Sequence, residues 1–457
     1  NNQPRPAANK YPVPTAAPPG PCSANPAPCS CPVGPSTRAN RSATVPPGGG
    51  TFSPQRPLLR LKNHAYSPAA WRLIAAAAGR LGSLADAAFA LALAGLTIAP
   101  QHVRTLAQEG GVDLARQRDA KAAVGRRLPA RVAQTPALVA VAVDGGRLRT
   151  RAPAAGPGVH AQENQEDKVA CWATLQGDVH AHDPQPEPPP SFLQPRRVER
   201  LVRPMAGQAG EALPSPAAVT APTAAAPGAE PWAPRQQLRT CVASRADSQA
   251  FGRLVAAAAQ ERDFYRTPRR AFVADGAASN WASQRAHFAD CEPIVDFLHV
   301  LCSVATAAWA VRATATARWD QYVTWLGACW RGRVHAVVAE LPTWQVQVGR
   351  GPPGAELPRT DARRAVAEAL SYLTHNAPRR DDPRYRRAGL PITSSLAASL
   401  VGEFTARVKS RQHYGNRPEG AEAVLQLRAA VRSEDGRRER YFTERPGSPY
   451  RRRAQKA

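Results

Sequence analysis

The sequence predicts an α/β protein, and three observations carry that expectation. Short β-rich apolar runs end in Asp-Gly at Asp144 and again at Asp275. A helical stretch with apolar residues broadly on one face, Ser248 to Phe264, lies between them. Beyond His299 the pattern becomes wholly helical.

Taken in order, residues 1–55 are Pro, Ala, Gly and Ser with few large apolar side chains, so a disordered arm is expected. Residues 56–130 read as helical. Ser67 and Pro68 open a helix from Ala69 to Leu81, Ser83 opens a second to Ala94, and a third runs from Gln101 to Gln108, ended by Gly110-Gly111. With Gln101, His102 and Arg104 near the start of the third helix, this all-α segment is compatible with a DNA-reading helix-turn-helix or with a plain bundle.

Residues 131–176 read as an antiparallel meander of three strands: Ala137 to Val143, then Arg147 to Arg151 after the Asp-Gly-Gly, then Lys168 to Leu175. Residues 177–235 return to Pro and Ala and read as an insertion or linker, with one helical patch near Arg197 to Val202. In 236–299 the helix from Ser248 leads to the strand Ala271 to Ala274. Asp275 follows it, and a short run from Pro293 to Val295 then leads to Asp296 and His299, which at i and i+3 share one face of a first helical turn.

Residues 300–388 read as a helical insertion and a basic loop. Trp309, Trp319, Trp325 and Trp330 are expected mostly in its core, with one or two free to stack on bases. Arg379, Arg380, Arg384, Arg386 and Arg387 surround Tyr385 and form either a phosphate clamp or a solvated loop. Closing helices follow over 389–435, the longest from Leu396 to Lys409, and a basic tail over 436–457.

Sixty Lys and Arg against 35 Asp and Glu give a formal charge of +25. That surplus favours a polyanionic partner, most simply nucleic acid bound in a salt-sensitive way, unless a bias toward Arg and Ala codons accounts for it. The most apolar stretch, Leu84 to Ala99, is too short to span a bilayer and contains Asp86, so a membrane protein is not expected. The eight cysteines are scattered and read as reduced thiols in a cytosolic protein. Cys22, Cys29 and Cys31 lack a second Cys-x-x-Cys, so Zn²⁺ is not expected. The chain begins at Asn1 and its one methionine is Met205, which places the expected natural start upstream.

The predicted order is strand, strand, strand, helix, strand, helix, strand. In a ribonuclease H-like fold the first and fourth strands are neighbours, which would bring Asp144 and Asp275 together. Two adjacent aspartates supply the hard oxygen ligands that Mg²⁺ or Mn²⁺ takes, leaving positions for phosphate oxygens and water.

Six segments in this order resemble the bacterial insertion-sequence transposases of the Kra type, relatives of the Mutator-like DDE transposases. They are Val141 to Arg147; Glu166 to Val169; Ala274-Asp275-Gly276 with Asn280-Trp281; Asp296 to His299; Tyr385 to Arg387 with Gly389 to Ser395; and Gly420 to Ala423 with Leu425 to Arg428. The resemblance implies a ribonuclease H-like catalytic core with a helical insertion, acting with Mg²⁺ or Mn²⁺ on the terminal repeats of a mobile element and on target DNA. It also implies a homodimer on double-stranded DNA, cytoplasmic and nucleoid-associated. Asp144 and Asp275 match the first two catalytic aspartates, Asp296 and His299 match an element close to the centre, and Arg104 falls in the segment expected to bind the repeats.

One position departs from the pattern. A glutamate is expected three residues into the helix after Thr393-Ser394-Ser395, and Ala398 stands there. Glu403 is the nearest acid downstream, about 140° around and about 7.5 Å along a helix, a poor replacement. The resemblance therefore implies a transposase by descent, or a catalytically dead DNA-binding protein derived from one.

Overall fold

The computed structural model describes residues 66–132, 134–151, 162–205, 230–352, 356–358, 360–394, 404 and 418–444, with a two-residue hairpin, Ala43–Thr44 against Thr51–Phe52. That hairpin lies within the arm expected to lack structure. Cys22, Cys29 and Cys31, the helix expected from Leu396 with Ala398 and Glu403, and the tail after Glu444 lie outside the described residues.

A five-stranded mixed sheet organises the chain: β1 (Leu138–Arg151), β2 (Gln162–Gln176), β3 (Arg235–Ser244), β4 (Arg269–Ala274) and β5 (Glu292–Val295). The strands lie in the order β3-β2-β1-β4-β5, with β2 antiparallel to β1 and β3, and β1, β4 and β5 mutually parallel. Leu138 to Val143 on β1 and Ala271 to Ala274 on β4 are buried throughout, as continuous apolar runs in the centre of a sheet covered on both faces should be.

Three expectations are corrected here. The Asp144-Gly145-Gly146 sequence is not a hairpin turn: β1 runs straight through it, paired to β2 from Val139↔Thr174 to Arg151↔Gln162. The third strand is instead Arg235–Ser244, which the Pro/Ala-rich run before it had obscured. The third N-terminal helix does not stop at Gly110-Gly111, because another helix lies against those glycines.

The helices are α1 (Pro68–Arg80), α2 (Leu84–Leu93), α3 (Pro100–Val124), α4 (Pro195–Met205), α5 (Ser248–Glu261), α6 (Ala278–His287), α7 (Phe297–Val311), α8 (Ala315–Trp330), α9 (Val334–Val348), α10 (Ala362–Asn376), α11 (Asp382–Arg387), α12 (Pro418–Arg432) and α13 (Arg437–Glu444). Ser67 and Ser83 cap α1 and α2 as their sequences predict, each accepting a backbone N–H three residues on. A Cβ on Gly111 would lie 2.1 Å from the carbonyl oxygen of Ala423, so α3 and α12 meet backbone to backbone. That approach outweighs the roughly 1 kcal/mol each glycine costs a helix interior relative to Ala.

Two cores result. The larger encloses the sheet and α5 to α10, with Trp325 and Trp330 fully buried. The smaller joins α1 to α3 with the chain's other end: Trp71, Ile74, Val103 and Leu106 pack with Leu427, Val431, Tyr441 and Phe442. The segment read as a basic tail thus begins with a helix that contributes two aromatic rings to this second core, Tyr441 and Phe442 standing edge-on to each other and to Trp71. Residues 177–205 are likewise more than linker, since Trp330 Nε1 donates to the Gln185 carbonyl at 2.9 Å and the Tyr322 hydroxyl to the Phe192 carbonyl at 2.9 Å.

Candidate active site

Register assembles the site. Val143 pairs with Ala274, and Ala274 with Val295, in one row across the three parallel strands. One residue further along each strand stand Asp144, Asp275 and Asp296. Side chains alternate faces with period two, so the three carboxylates emerge on the same face at the same edge of the sheet. Parallel pairing stops there, while the antiparallel ladder of β1 with β2 continues through Asp144↔Val169 and holds Asp144 rigidly.

The three acids are bonded differently. Asp144 Oδ1 accepts the Gly145 N–H at 2.7 Å. Asp275 Oδ1 accepts the Ala277 N–H at 2.9 Å and the Asn280 amide at 2.8 Å. Oδ2 of each takes no hydrogen bond among the described residues. Asp296, only 1 % exposed, is fully engaged: Oδ1 accepts the Leu298 N–H at 3.0 Å as the cap of α7, while Oδ2 faces His299 Nδ1 at 3.2 Å and accepts the Ser394 hydroxyl.

The electrostatics follow. Burial pushes the Asp144 carboxyl above its ordinary range, His299 and the Gly145 N–H pull it back, and the Asp275 and Asp296 charges push it further up. For Asp296 burial acts upward too, but the hydrogen bond and charge of His299, with Ser394 and the Leu298 N–H, hold it below the usual carboxylate value. Burial opposes a charged His299, yet Asp296, with Asp275 and Asp144 beyond, raises it above an ordinary histidine. Among the described residues, His299 is the basic group set against these three carboxylates.

No protein-family model matches the chain, and no curated protein matches it.

Asn280, which bonds Asp275, was among the segments singled out in the sequence, but the two residues of α10 that support the same turn were not. Tyr372 on α10 donates its hydroxyl to the Asp275 carbonyl at 2.9 Å. Asn376, one turn on, accepts Trp281 Nε1–H at 3.1 Å and donates to the Tyr372 carbonyl at 3.0 Å. Gly276 has φ +100°, and a Cβ there would lie 2.8 Å from both Tyr372 and Asn376. Only glycine allows this close approach. The helical insertion therefore returns to clamp the turn that carries Asp275. The spacing of Tyr372 and Asn376 on one helical face was the available signal, and nothing local says what that face meets.

The expected arginine clamp divides. Arg380, 3 % exposed, stacks on Phe297 and lies against Asp382. Arg386, fully buried, forks onto Asp183 and covers the Trp330 ring. Both belong to the interior, which corrects their expected place on a phosphate-binding surface. Arg384 is exposed but paired with Glu292 at 2.7 Å and Asp381 at 3.2 Å. Arg379 lies over Trp281 at 4.5 Å beside the Asp275 turn, and Arg387 is exposed. Gln101 is exposed and Arg104 half-buried on the first turns of α3.

The donor set at the sheet edge fits a hard divalent cation in two respects: each of Asp144 and Asp275 offers an unbonded carboxylate oxygen, and the local charge is in deficit of cations. Among the described residues no group of three or more His, Cys, Asp or Glu is placed so that it could hold a metal ion.

Proposed function

We propose that this chain is a DNA transposase of an insertion sequence, built on a ribonuclease H-like core, that cleaves and joins phosphodiester bonds at the ends of its element. The observation that carries the reading is the register Val143↔Ala274, which sets Asp144 and Asp275 side by side although they are far apart in sequence. The strand order β3-β2-β1-β4-β5, with only β2 antiparallel to its neighbours, supports the core assignment, and the +25 charge supports a nucleic-acid partner.

Asp144 and Asp275 would hold Mg²⁺ or Mn²⁺, which supplies charge stabilisation for the attacking and departing oxygens of a phosphodiester displacement. Asp296 holds His299 in place through Nδ1, and the backbone of α7 and Ser394 hold Asp296. His299, whose pKa Asp296 raises above an ordinary histidine's, would donate to a phosphate oxygen or to the departing 3′-oxygen. Tyr372 and Asn376 fix the Asp275 turn. Arg379, Arg387, Gln101 and Arg104 are the exposed or partly exposed polar groups assigned to DNA contact.

Ala398 favours a second reading, a transposase-derived protein that binds the same ends without cutting them. The deciding experiment compares Mg²⁺- and Mn²⁺-dependent cleavage of DNA carrying the flanking element ends by this chain and by Ala398→Glu. Cleavage in either, abolished by Asp275→Asn, supports the transposase. Binding without cleavage in both leaves the DNA-binding reading, and cleavage that survives Asp275→Asn overturns the assignment of the centre.

A further inference from the structure

Away from the carboxylates, the sheet sets two cysteines directly opposite each other. Cys171 on β2 is in register with Cys241 on β3, so both side chains leave the same face. The pairing type can be read from where the backbone of Cys241 makes its bonds. Its N–H donates to the Ser433 hydroxyl at 2.9 Å and its carbonyl accepts Arg437 Nη1 at 2.9 Å. Arg239, two residues earlier, likewise sends its N–H to Glu434 and receives the Glu434 N–H on its carbonyl. The odd-numbered residues of β3 therefore direct their backbone groups away from β2, and Cys171↔Cys241 is a non-hydrogen-bonded antiparallel pair.

Such pairs have the closest Cα atoms in a sheet, about 4.5 Å apart, within the window of about 4.4–6.8 Å that a disulfide spans. Both cysteines are unbridged and buried, at 1 % and 0 % exposure. We propose that Cys171 and Cys241 form a reversible redox site, a dithiol that closes to a cross-strand disulfide when a small peroxide reaches Cys241.

Access and polarity both favour Cys241 as the attacking sulfur. A cavity of about 80 Å³ at the end of the sheet is lined by Cys241 together with Arg118, Lys121, Glu261, Gln426 and Arg437, large enough for hydrogen peroxide. The neighbouring Cys171 thiol, with Arg437 and Arg239, pulls the Cys241 thiol below its ordinary range against the effect of burial. Cys171 is pushed the other way, by the neighbouring Cys241 and by burial. Thiolate character decides which cysteine reacts first.

The step balances with peroxide as the named oxidant. Cys241 thiolate attacks one peroxide oxygen, the O–O bond breaks, and the departing hydroxide takes the thiol's proton as water, leaving a sulfenic acid. Cys171 sulfur then attacks the sulfenic sulfur, the S–O bond breaks, and the second water leaves with the Cys171 proton. Two thiols lose two electrons and peroxide gains them. The other described cysteines, Cys291, Cys302 and Cys329, are buried singly with thiols pushed up to about 12, and provide internal controls that should stay reduced.

The test treats the full-length native protein with hydrogen peroxide, quenches with acid, alkylates under denaturing conditions and maps the peptides without reduction. The expected product is one linked pair, Cys171 with Cys241, lighter by two hydrogens and reopened by dithiothreitol. The same treatment of a Cys22→Ser, Cys29→Ser, Cys31→Ser chain should give the same pair. In Cys171→Ala, Cys241 should stop at a sulfenic acid trapped by dimedone, and in Cys241→Ala, Cys171 should remain alkylatable. Both thiols remaining free in the wild type, while a small thiol in the same tube is fully oxidised, overturns the proposal. So does pairing of Cys241 with any other cysteine. The wild-type map decides the matter even if neither alanine variant folds.

Discussion

Two charged regions of this molecule read alike in sequence and differ in structure. At the strand ends, Asp144, Asp275 and Asp296 share one face of the sheet with a single histidine. In the segment from Arg379 to Arg387, a dense run of arginine folds so that its inner members find acids: Arg386 on Asp183 and Arg380 against Asp382. In the first region Asp296 is paired with His299 while Asp144 and Asp275 have no ion pair among the described residues; the second region answers its charge inside the fold. Unanswered charge is where an outside ion or ligand can gain binding energy, whereas answered charge holds elements together. On the proposed reading the acids form the site, and most of the arginines are architecture.

The largest effect expected from this contrast comes from breaking the answered side. Asp183→Ala leaves the Arg386 guanidinium buried with neither of its carboxylate contacts, and loss of one partner from such a pair costs about 3–5 kcal/mol. Urea denaturation checks it. A loss below about 1 kcal/mol would mean that Arg386 reaches water or another acid, and the segment could again be read as a phosphate site.

Next in size is a pH effect at Asp435. Burial alone would raise this carboxyl, but the charge and hydrogen bonds of Arg437, with Thr240 at 3.0 Å, hold it at about 2, against an ordinary 3.8. A depressed acid stabilises the fold above its unfolded value and loses that stabilisation as pH falls toward the folded one. Between pH 5 and pH 2 the chain should therefore lose about 2 kcal/mol through this group. Asp382 has the opposite sign: burial, against Arg380 and Arg386, pushes it up to about 6, so its charge penalises the folded state above that pH. Stability curves of Arg437→Met against wild type isolate the Asp435 part, and parallel curves across this range would reject it.

A smaller effect tests whether the insertion truly supports the acid edge. Asn376→Leu removes the bridge between Trp281 and Tyr372, and with it the clamp on the turn that presents Asp275. Groups that orient a ligand without touching the ion typically change metal affinity by about 10–100-fold, so Mn²⁺ binding should weaken by at least about tenfold. Titration calorimetry reads this without any DNA. Unchanged affinity would make Tyr372 and Asn376 packing residues only.

The sequence made part of this legible for identifiable reasons. Caps and apolar periodicity gave α1, α2 and α5, because those signals are local. The end of β4 before Asp275 was legible because a β-rich run meeting Asp-Gly is also local, but the same signal at Asp144 misplaced the end of β1, which continues to Arg151. The path of β1 through Gly145-Gly146 was not legible, since its ladder partners in β2 begin only at Gln162. Nor was β3, whose register with β2 depends on contacts to Ser433 and Arg437 made nearly two hundred residues later. Gly111 looked like a stop because only the fold reveals Ala423 against it. The arginines failed for the same reason: a run of positive charge does not say which acids will come to meet it.

The smallest expected effect is the sharpest test of the comparison, because it predicts a sign. Removing a charge from an answered pair destabilises, but Asp144 is an acid that burial and two neighbouring carboxylates disfavour as an anion. Asp144→Asn keeps its shape and an oxygen for the Gly145 N–H while removing the like-charge repulsion. In the presence of a chelator the variant should be as stable as the parent or more so, by up to about 1 kcal/mol, since no hydrogen-bonded counter-ion is lost. On adding Mn²⁺ the order should reverse, because a ligand that binds only the folded state stabilises it in proportion to the logarithm of concentration over Kd. Thermal melts of the two proteins with and without the ion carry both halves of the prediction. An Asn variant that melts lower in chelator would show that Asp144 already has its counter-charge within the chain, and the distinction between the two regions would fall.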